Sequence, residues 1–354
     1  MSLSVLRVKK ILEKYFQKIH FTQKDIEISD VKSLAKGWET ELFSFVFSYQ
    51  EEGQKKVDHL ILRIYPGKNM QNKIKWEYDV LIALFNAGYP VPRTHLLELD
   101  EEFFGKPFII MDRIAGVDMG EEFFNAIETK DMETLTEKLL PLVCKLFVEL
   151  HDLDWRIIPA DIIKKETINP YFFIDRRLAS FEKKIEEYEL HELQSILNWL
   201  KERRDNVPSE KISVLHQDFH PHNIIIADDG KPFVVDWPSC NVGDFRQDLG
   251  WTLLLVSAYT SSEIRNAILK AYENKLGSKV EEIDYFEVLA AFRRFSDILI
   301  MFKFSPNEHG SREEALQQIK DTVFHIENIY SLVREKTNLS IPKLEEFISS
   351  IKNR

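Results

Sequence analysis

The sequence predicts an α+β protein in which a β-rich part, residues 1–112, precedes a mainly helical part, residues 113–354. Three observations predict this class. Apolar residues alternate along short segments of the first part, as they do in strands with one buried face. In the second part, apolar residues recur mostly at helical spacing. One island within it, residues 212–237, is instead rich in β-branched residues and predicts a pair of strands.

The β-rich part opens with an amphipathic helix, because apolar residues recur at helical spacing from Val5 to Ile19. Alternating apolar residues then predict strands over residues 43–47 and 60–64. A turn at Gly53 separates them, since glycine tolerates the backbone angles of tight turns. These two strands therefore predict an antiparallel sheet.

A single helix is inserted into this sheet. The apolar spacing predicts it over residues 74–85, and Gly88 ends it. After the helix, residues 103–104 and 108–111 predict a hairpin around Gly105. The first part is thus a sheet with one helix.

The second part is predicted to be helical apart from the island. The predicted helices span residues 131–152, 171–204, 245–258, 262–275, 284–303 and 311–335. No repeat and no long Gly/Ser/Pro linker interrupts the chain, so we expect two lobes that are tightly joined.

Composition excludes several classes of protein. The net charge is −11, which disfavours a nucleic-acid-binding protein because binding to phosphates needs a basic surface. No apolar run approaches the roughly 18 residues of a membrane span, and the N-terminal residues lack the apolar core of a secretion signal. The two cysteines predict neither a disulfide framework nor a metal site, so we expect a cytoplasmic protein. The sequence makes no prediction about oligomeric state.

The island predicts a metal site at the open end of a hairpin. Asp229-Gly230 is a typical two-residue hairpin turn. Pairing across this turn places Asn223 directly opposite Asp236, with Cβ atoms about 5 Å apart. An amide oxygen and a carboxylate at that distance can share one hard divalent cation, and Mg²⁺ with a nucleotide is the natural candidate.

A third polar residue, Asp218, stands five residues before Asn223 and two after His216. The spacing H-x-D-x-x-x-x-N is that of a kinase catalytic loop, in which the aspartate accepts or orients a hydroxyl proton. Each residue alone is better explained as an ordinary turn or strand-end residue. The set together predicts phosphoryl transfer.

These residues resemble a known family. His216, Asp218, Asn223 and Asp236 match the HGDxHxxN…DW pattern of aminoglycoside phosphotransferases, choline kinases and related small-molecule kinases. The resemblance implies a two-lobed protein-kinase-like fold. It also implies transfer of the γ-phosphoryl group of ATP or GTP, with Mg²⁺, to a hydroxyl of an aminoglycoside, an amino alcohol or a sugar. Gln217 departs from the pattern.

The resemblance also assigns roles in the loop. Asp218 becomes the catalytic base, while Asn223 and Asp236 hold Mg²⁺. His216 and His220 become structural loop residues, and Asp248 accepts hydrogen bonds from the loop backbone. His222 stands where glycine is common in the family.

On the nucleotide side, the segment around Gly37 resembles the short loop that approaches the phosphates. Arg63 takes the strand position that kinases usually fill with lysine, and Glu77 on the following helix is its predicted partner. Backbone groups near Asp112 and Ile114 are expected to bind the purine edge.

Two alternatives stay open. A non-catalytic nucleotide-binding module has the same fold but predicts the loss of a catalytic residue, and all are present. A protein kinase is disfavoured, because too few residues follow Asp236 to form an activation loop. The acceptor is not predicted, since the candidate residues have both signs of charge. These candidates are Trp251, Tyr259, Arg293, Arg294, Asp297, Lys303, Glu308, Glu313 and Glu314.

Overall fold

The computed structural model describes residues 3–19, 24–34, 40–65, 67, 69–159, 169–209, 211–304, 317 and 319–352. The chain divides into two compact units. The first comprises Met1–Val117 and Ile225–Pro238, and the second comprises Asp118–Ile224 and Ser239–Arg354.

The first unit is built on a five-stranded antiparallel sheet with the strand order β1-β2-β3-β5-β4. The strands are β1 (Lys24–Ser33), β2 (Glu41–Glu51), β3 (Gln54–Ile64), β4 (Thr94–Glu98) and β5 (Phe108–Asp112). The alternation that predicts β2 and β3 is the alternation that buries one face of the sheet. Glu52 and Gly53 both have positive φ, which a tight hairpin turn requires.

Two helices belong to the same unit, α1 (Val5–Ile19) and α2 (Gln71–Asn86). The apolar stripe of α1 packs on the sheet, where Phe16 stacks on Phe47 with ring centroids 4.2 Å apart. Burial of such a side chain contributes about 1.5–3 kcal/mol. The helix therefore covers the sheet face that would otherwise expose its phenylalanines.

The predicted hairpin strand at residues 103–104 is wrong. The strands that pair with β5 are β3 and β4, and the residues before Gly105 form a turn closed by a bond from Gly105 N–H to the Glu101 carbonyl at 2.9 Å. Phe104 is buried edge-on against Phe108, with centroids 5.0 Å apart. The two adjacent phenylalanines are apolar because they belong to a turn that packs against the protein. Apolar character alone does not distinguish such a turn from a strand.

The island forms the hairpin of β8 (Ile224–Ala227) and β9 (Pro232–Val234), and β6 (Gly116–Asp118) lies beside β8. Its turn has three residues rather than the predicted two. The Ala227 carbonyl accepts from Gly230 N–H at 2.8 Å, while Ala227 N–H donates to the Lys231 carbonyl at 2.8 Å. Gly230 has φ +82°, so it forms a bulge after the turn and shifts the pairing by one residue.

The second unit is mainly helical and contains a two-stranded sheet of β7 (Ile212–Leu215) and β10 (Asn241–Asp244). Its α-helices are α3 (Met119–Glu128), α4 (Leu140–Asp152), α5 (Phe172–Tyr188), α6 (Gln194–Glu202), α7 (Phe245–Tyr259), α8 (Ser262–Leu276), α9 (Ile283–Lys303), α10 (Phe324–Thr337) and α11 (Pro342–Lys352).

Several predicted helix bounds change. The helix predicted over 131–152 starts as a π-helical segment, Thr134–Leu139, before α4. The helix predicted over 171–204 is broken into α5 and α6, because α5 ends at Glu189 with φ +52°. Part of the helix predicted over 311–335 lies outside the described residues, and α10 begins at Phe324. Helices α3 and α11 were not predicted from the sequence.

One close helix contact matters for the site. A Cβ atom at Gly250 of α7 would come within 2.7 Å of the Phe286 backbone in α9, so only glycine allows these helices to approach this closely. The contact fixes α7 and α9 against each other, and both helices carry residues of the site described below. Within the described part of the chain, no helix is long and apolar enough to cross a membrane.

Candidate functional site

The loop that follows β7 is anchored by Asp248, in the first turn of α7. The fully buried Asp248 carboxylate accepts the N–H groups of His216 and Gln217, each at 2.7 Å. A charged acceptor strengthens such bonds, and the helix N-terminus favours the negative charge. Asp248 thus makes the backbone bonds that the resemblance implies.

His216 is buried inside this loop. Its Nδ1 accepts the N–H of Asp218 at 3.2 Å, which orients the backbone of the residue that follows the turn. From α7, the Thr252 hydroxyl donates to the Phe219 carbonyl at 2.7 Å. His216 therefore positions Asp218 through the backbone.

Asp218 lies at the partly exposed end of the loop. Its Oδ1 accepts the indole N–H of Trp251 at 2.9 Å, and its Oδ2 lies 3.7 Å from His220 Nε2. Burial alone raises the pKa of a carboxyl group, but His220, Trp251 and Arg293 together hold the pKa of Asp218 well below its ordinary value. Asp218 is consequently an anion at neutral pH.

The amide of Asn223 has a defined orientation. Its Nδ2 donates to the Asp218 carbonyl at 2.8 Å and lies 3.2 Å from His220 Nε2. The amide oxygen is therefore left as the atom able to bind a ligand, and a neutral oxygen is a donor that Mg²⁺ accepts.

The first unit contains the predicted pair of Arg63 and Glu77, together with Asp236. The buried guanidinium of Arg63 donates from Nη2 to Asp236 Oδ1 at 2.6 Å, and its Nε lies 3.4 Å from Glu77 Oε2. Burial acts to lower the pKa of Arg63, but its negative partners, led by Glu77, raise it well above the ordinary value. Arg63 is a permanently charged group held between two carboxylates.

Glu77 is almost fully buried and has further donors. The Tyr65 hydroxyl and the backbone N–H of Trp237 both donate to its carboxylate. Asp236 lies two residues beyond the end of β9 and has φ +71°, a left-handed conformation that does not continue a strand. This bend and the shifted turn together remove the register argument that places Asn223 opposite Asp236.

The remaining nucleotide-side predictions have mixed outcomes. Asp112 ends β5, where its backbone N–H donates to the Arg93 carbonyl at 2.9 Å and its carboxylate contacts His95 Nε2 at 2.6 Å. Ile114 follows in the segment before β6 and is partly buried. Gly37 lies outside the described residues. Binding of the purine edge stays a prediction.

No group of three or more His, Cys, Asp or Glu side chains that could hold a metal occurs among the described residues. A cation here would need ligands from a nucleotide as well as from the protein. The donor types of Asn223 and Asp236 fit that requirement, since Mg²⁺ in kinases binds few protein oxygens plus phosphates. Their shared metal role stays a prediction.

The two departures from the family pattern are both accommodated by specific contacts. Gln217 has φ +67°, a conformation that glycine adopts freely, and Arg177 holds its side chain by donating to Oε1 at 2.8 Å. His222 bonds to Asp118 through Nδ1 at 2.8 Å and stacks on Phe124. The sequence contained no signal for Arg177, which lies 40 residues before its partner in the chain.

A small pocket of about 10 Å³ adjoins the catalytic loop within the second unit. Of the acceptor-side candidates, Trp251 and Arg293 line this pocket. The guanidinium carbon of Arg293 lies 3.9 Å from the ring centroid of Trp251. Its other lining residues are Arg177, Phe181, Gln217, Gln247, Leu289 and Ala290. Glu308, Glu313 and Glu314 lie outside the described residues, and Lys303 pairs with Glu192 at 3.2 Å.

Comparison with known proteins identifies the family. Residues 30–287 match the phosphotransferase enzyme family, APH, over more than half of the chain. The chain belongs to this family. This membership agrees with the resemblance carried by the loop from His216 to Asn223.

Solved structures show the same fold. A putative aminoglycoside phosphotransferase from Ralstonia eutropha superposes with a TM-score of 0.63 at 17% identity, covering 93% of this chain and 98% of that one. Aminoglycoside phosphotransferase APH(4)-Ia gives 0.58 at 15% identity, covering 92% and 98%. Ethanolamine kinase from Plasmodium vivax gives 0.59 at 13% identity, covering 87% and 83%. These matches confirm the protein-kinase-like α+β fold.

Two curated proteins are similar in sequence over part of their length. Acyl-CoA dehydrogenase family member 10 from Mus musculus is 23% identical over 237 residues, 65% of this chain and 21% of that protein. Acyl-CoA dehydrogenase family member 11 from Gallus gallus is 24% identical over 208 residues, 56% and 25%. The matched region thus spans about a fifth to a quarter of these relatives.

Proposed function

We propose that this phosphotransferase-family protein is a kinase that transfers the γ-phosphoryl group of ATP or GTP to a hydroxyl group of a small molecule. One observation carries the proposal. The loop around Asp218 is fixed by Asp248 and His216, and it presents an ionised carboxylate whose one oxygen is held by Trp251. Such a carboxylate can orient an attacking hydroxyl.

The low pKa of Asp218 bears on its chemical role. A weakly basic carboxylate orients the hydroxyl and receives its proton late, when the bond to phosphorus is already forming. In the transfer, the acceptor oxygen bonds to the γ-phosphorus and the bond to the bridging oxygen breaks. The nucleoside diphosphate leaves, and the hydroxyl proton passes to Asp218 and then to water.

Most of the nucleotide-side residues in this proposal belong to the first unit, and Asn223 belongs to the second. Arg63 is charged and fixed by Glu77, so it is suited to bind nucleotide phosphates. Asn223 and Asp236 would hold Mg²⁺ with the nucleotide. When bound, the cation neutralises charge that develops on the phosphate oxygens. Asp112 and Ile114 are the proposed purine contacts.

Structures of related proteins support a nucleotide and a hydroxylated acceptor. Variants of APH(4)-Ia form ternary complexes with AMP-PNP and hygromycin B, or with ADP and hygromycin B. The ethanolamine kinase acts, by its name, on an amino alcohol. Cytoplasmic location is part of the proposal as well, because Cys144 and Cys240 are both buried and neither forms a disulfide.

The test is turnover of ATP and GTP with a set of hydroxylated acceptors, measured as release of the nucleoside diphosphate. With an accepted compound, Asp218→Asn should bind nucleotide as the wild type does but lower kcat by about 10²–10⁴. Asp205→Asn, an exposed carboxylate outside the loop, is the matched control and should turn over normally. Normal turnover by Asp218→Asn would remove Asp218 from the mechanism. Nucleotide binding without transfer to any acceptor would favour a non-catalytic module.

A further inference from the structure

Among the described residues, the pocket beside the catalytic loop is lined by two arginines, two glutamines and four apolar residues, and by no carboxylate. Arg177 enters from α5 and Arg293 from α9, while Gln217 belongs to the loop itself. Trp251 joins this pocket to the reaction site, because its ring forms part of the wall and its N–H binds Asp218. The pocket is therefore next to the group that orients the acceptor hydroxyl.

Gln217, which lines the pocket, has a side-chain N–H donor without an acceptor among the described residues. Arg177 Nη2 contacts Gln217 Oε1 at 2.8 Å, and because arginine can only donate, the amide oxygen must face Arg177. The amide nitrogen is thereby turned away from Arg177. This Nε2 atom is buried and has no hydrogen-bond partner among the described residues. A buried unpaired donor is costly, so an acceptor atom supplied by a ligand would stabilise it.

The two guanidinium groups also lack full charge compensation. Within the described part of the chain, Arg177 has no carboxylate at ion-pair distance and bonds only to amide oxygens, those of Gln217 and Gln247. Burial, and then the charge of Arg293, lower the pKa of Arg177 to about 10. Such an environment favours a bound anion, because its negative charge would offset both the burial of Arg177 and the repulsion from Arg293.

Arg293 has only partial compensation. Its Nη1 donates to the Gln217 carbonyl at 2.7 Å, and its Nε lies 4.0 Å from Asp297 Oδ2. Lys184 binds the same carboxylate more closely, at 2.9 Å. The stacking on Trp251 fixes the guanidinium plane without neutralising it.

We propose that the acceptor carries an anionic group, a carboxylate or a phosphate, which Arg177, Arg293 and Nε2 of Gln217 bind while its hydroxyl faces Asp218. This rests on the proposed kinase function and names the class of its acceptor. Guanidinium groups match the oxygens of both anions. Hydroxycarboxylates and phosphorylated alcohols are thus preferred, whereas amino alcohols and aminoglycosides place a cation against two arginines.

The first experiment compares acceptors that differ only in charge. Nucleoside diphosphate release from ATP is measured with ω-hydroxycarboxylates of increasing chain length, their neutral amides, glycerol 3-phosphate, ethanolamine and hygromycin B. The proposal expects turnover with a hydroxycarboxylate or with glycerol 3-phosphate, and these two arms distinguish carboxylate from phosphate. The amide of an accepted hydroxycarboxylate should have a kcat/KM at least about tenfold lower. Preference for ethanolamine or hygromycin B would overturn the anionic acceptor and leave the kinase function standing.

The second experiment removes one cation. Arg177→Gln should raise KM for the accepted anion about ten- to a hundredfold, as the loss of a charge-assisted hydrogen bond does, and should raise it much more than KM for the neutral amide or for ATP. Arg176→Gln, the exposed neighbour on the same helix, is the matched control and should leave all these values unchanged. A rise in KM for ATP instead would assign the pocket to the nucleotide and overturn the proposal.

Binding without turnover separates the two proposals. If no compound is phosphorylated, the kinase function fails, and calorimetric titration of the same hydroxycarboxylates and of glycerol 3-phosphate still tests the pocket. Binding to the wild type that weakens in Arg177→Gln, and not in Arg176→Gln, supports an anion site. Absence of binding to the folded wild type overturns it.

Discussion

Arg63 and Arg177 are both arginines held away from solvent, but the protein compensates their charges in opposite ways. Arg63 lies between the carboxylates of Glu77 and Asp236, and its pKa is raised. Arg177 bonds to two neutral amides and faces a second arginine, and its pKa is lowered. The first charge is balanced by two carboxylates, whereas the second has no carboxylate at ion-pair distance among the described residues.

This difference suggests different roles for the two arginines: Arg63 is held in place by the protein, whereas Arg177 is suited to bind a ligand. An arginine that already has two carboxylates is held in place before any ligand binds, so it is suited to a fixed contact with a nucleotide. An arginine without a carboxylate gains most when an anion arrives. Substitutions at the paired arginine and at the unpaired one should therefore have different effects on stability and on ligand binding.

The largest effect is expected at Glu77. Replacement Glu77→Ala leaves Arg63 buried with only Asp236 as a charged partner, and loss of one member of a buried pair typically costs about 3–5 kcal/mol. The free energy of unfolding from urea denaturation measures this. Asp79→Ala, two residues along the same helix, breaks an exposed i,i+4 pair with Lys75 and should cost less than about 1 kcal/mol. Equal losses of unfolding free energy in the two variants would mean that the buried pair contributes no more than the exposed pair.

A smaller effect is expected for nucleotide binding at Arg63. Arg63→Ala should weaken ATP binding about ten- to a hundredfold, because a charge-assisted hydrogen bond to phosphate contributes roughly 1.5–3 kcal/mol. Arg63→Lys should retain part of the affinity, since it keeps the charge and loses the fork. Equilibrium binding of ATP to variants shown to be folded is the measurement. Unchanged affinity and kcat in Arg63→Ala would limit Arg63 to a structural role.

The smallest effect is expected for stability at Arg177. Arg177→Gln removes a cation that has no carboxylate at ion-pair distance among the described residues, and it keeps a donor for Gln217. The free energy of unfolding without ligand should therefore change by less than about 1 kcal/mol. Urea denaturation with and without an accepted anion measures both states. The anion should stabilise the wild type more than the variant. A loss as large as that in Glu77→Ala would mean that Arg177 is chiefly structural.

The hairpin shows where local sequence patterns stop being sufficient. Asp229-Gly230 correctly predicts a turn, but a two-residue turn and a three-residue turn with a left-handed glycine share this signal. The bonds of Ala227 select the second, and the register moves by one residue. Likewise, Phe103-Phe104 indicates burial without specifying whether a strand or a turn is buried.

Most of the fold and the chemistry-bearing residues were determined by the sequence itself, because they depend on short-range patterns. Apolar alternation predicted β2 and β3, and helical spacing predicted α7 and α9. The spacing from His216 to Asn223 indicated phosphoryl transfer and the family resemblance.

Only the tertiary structure decided how charges are compensated, because the partners are far apart in the chain. Asp236 reaches Arg63 across 173 residues, and Arg293 reaches the Gln217 carbonyl across 76. No local pattern encodes such pairs, since packing selects which side chains meet and which donor, here Nε2 of Gln217, is left without a partner. Among the described acceptor-side candidates, Arg293 lines the pocket, whereas Asp297 lies outside its lining and pairs with Lys184 at 2.9 Å.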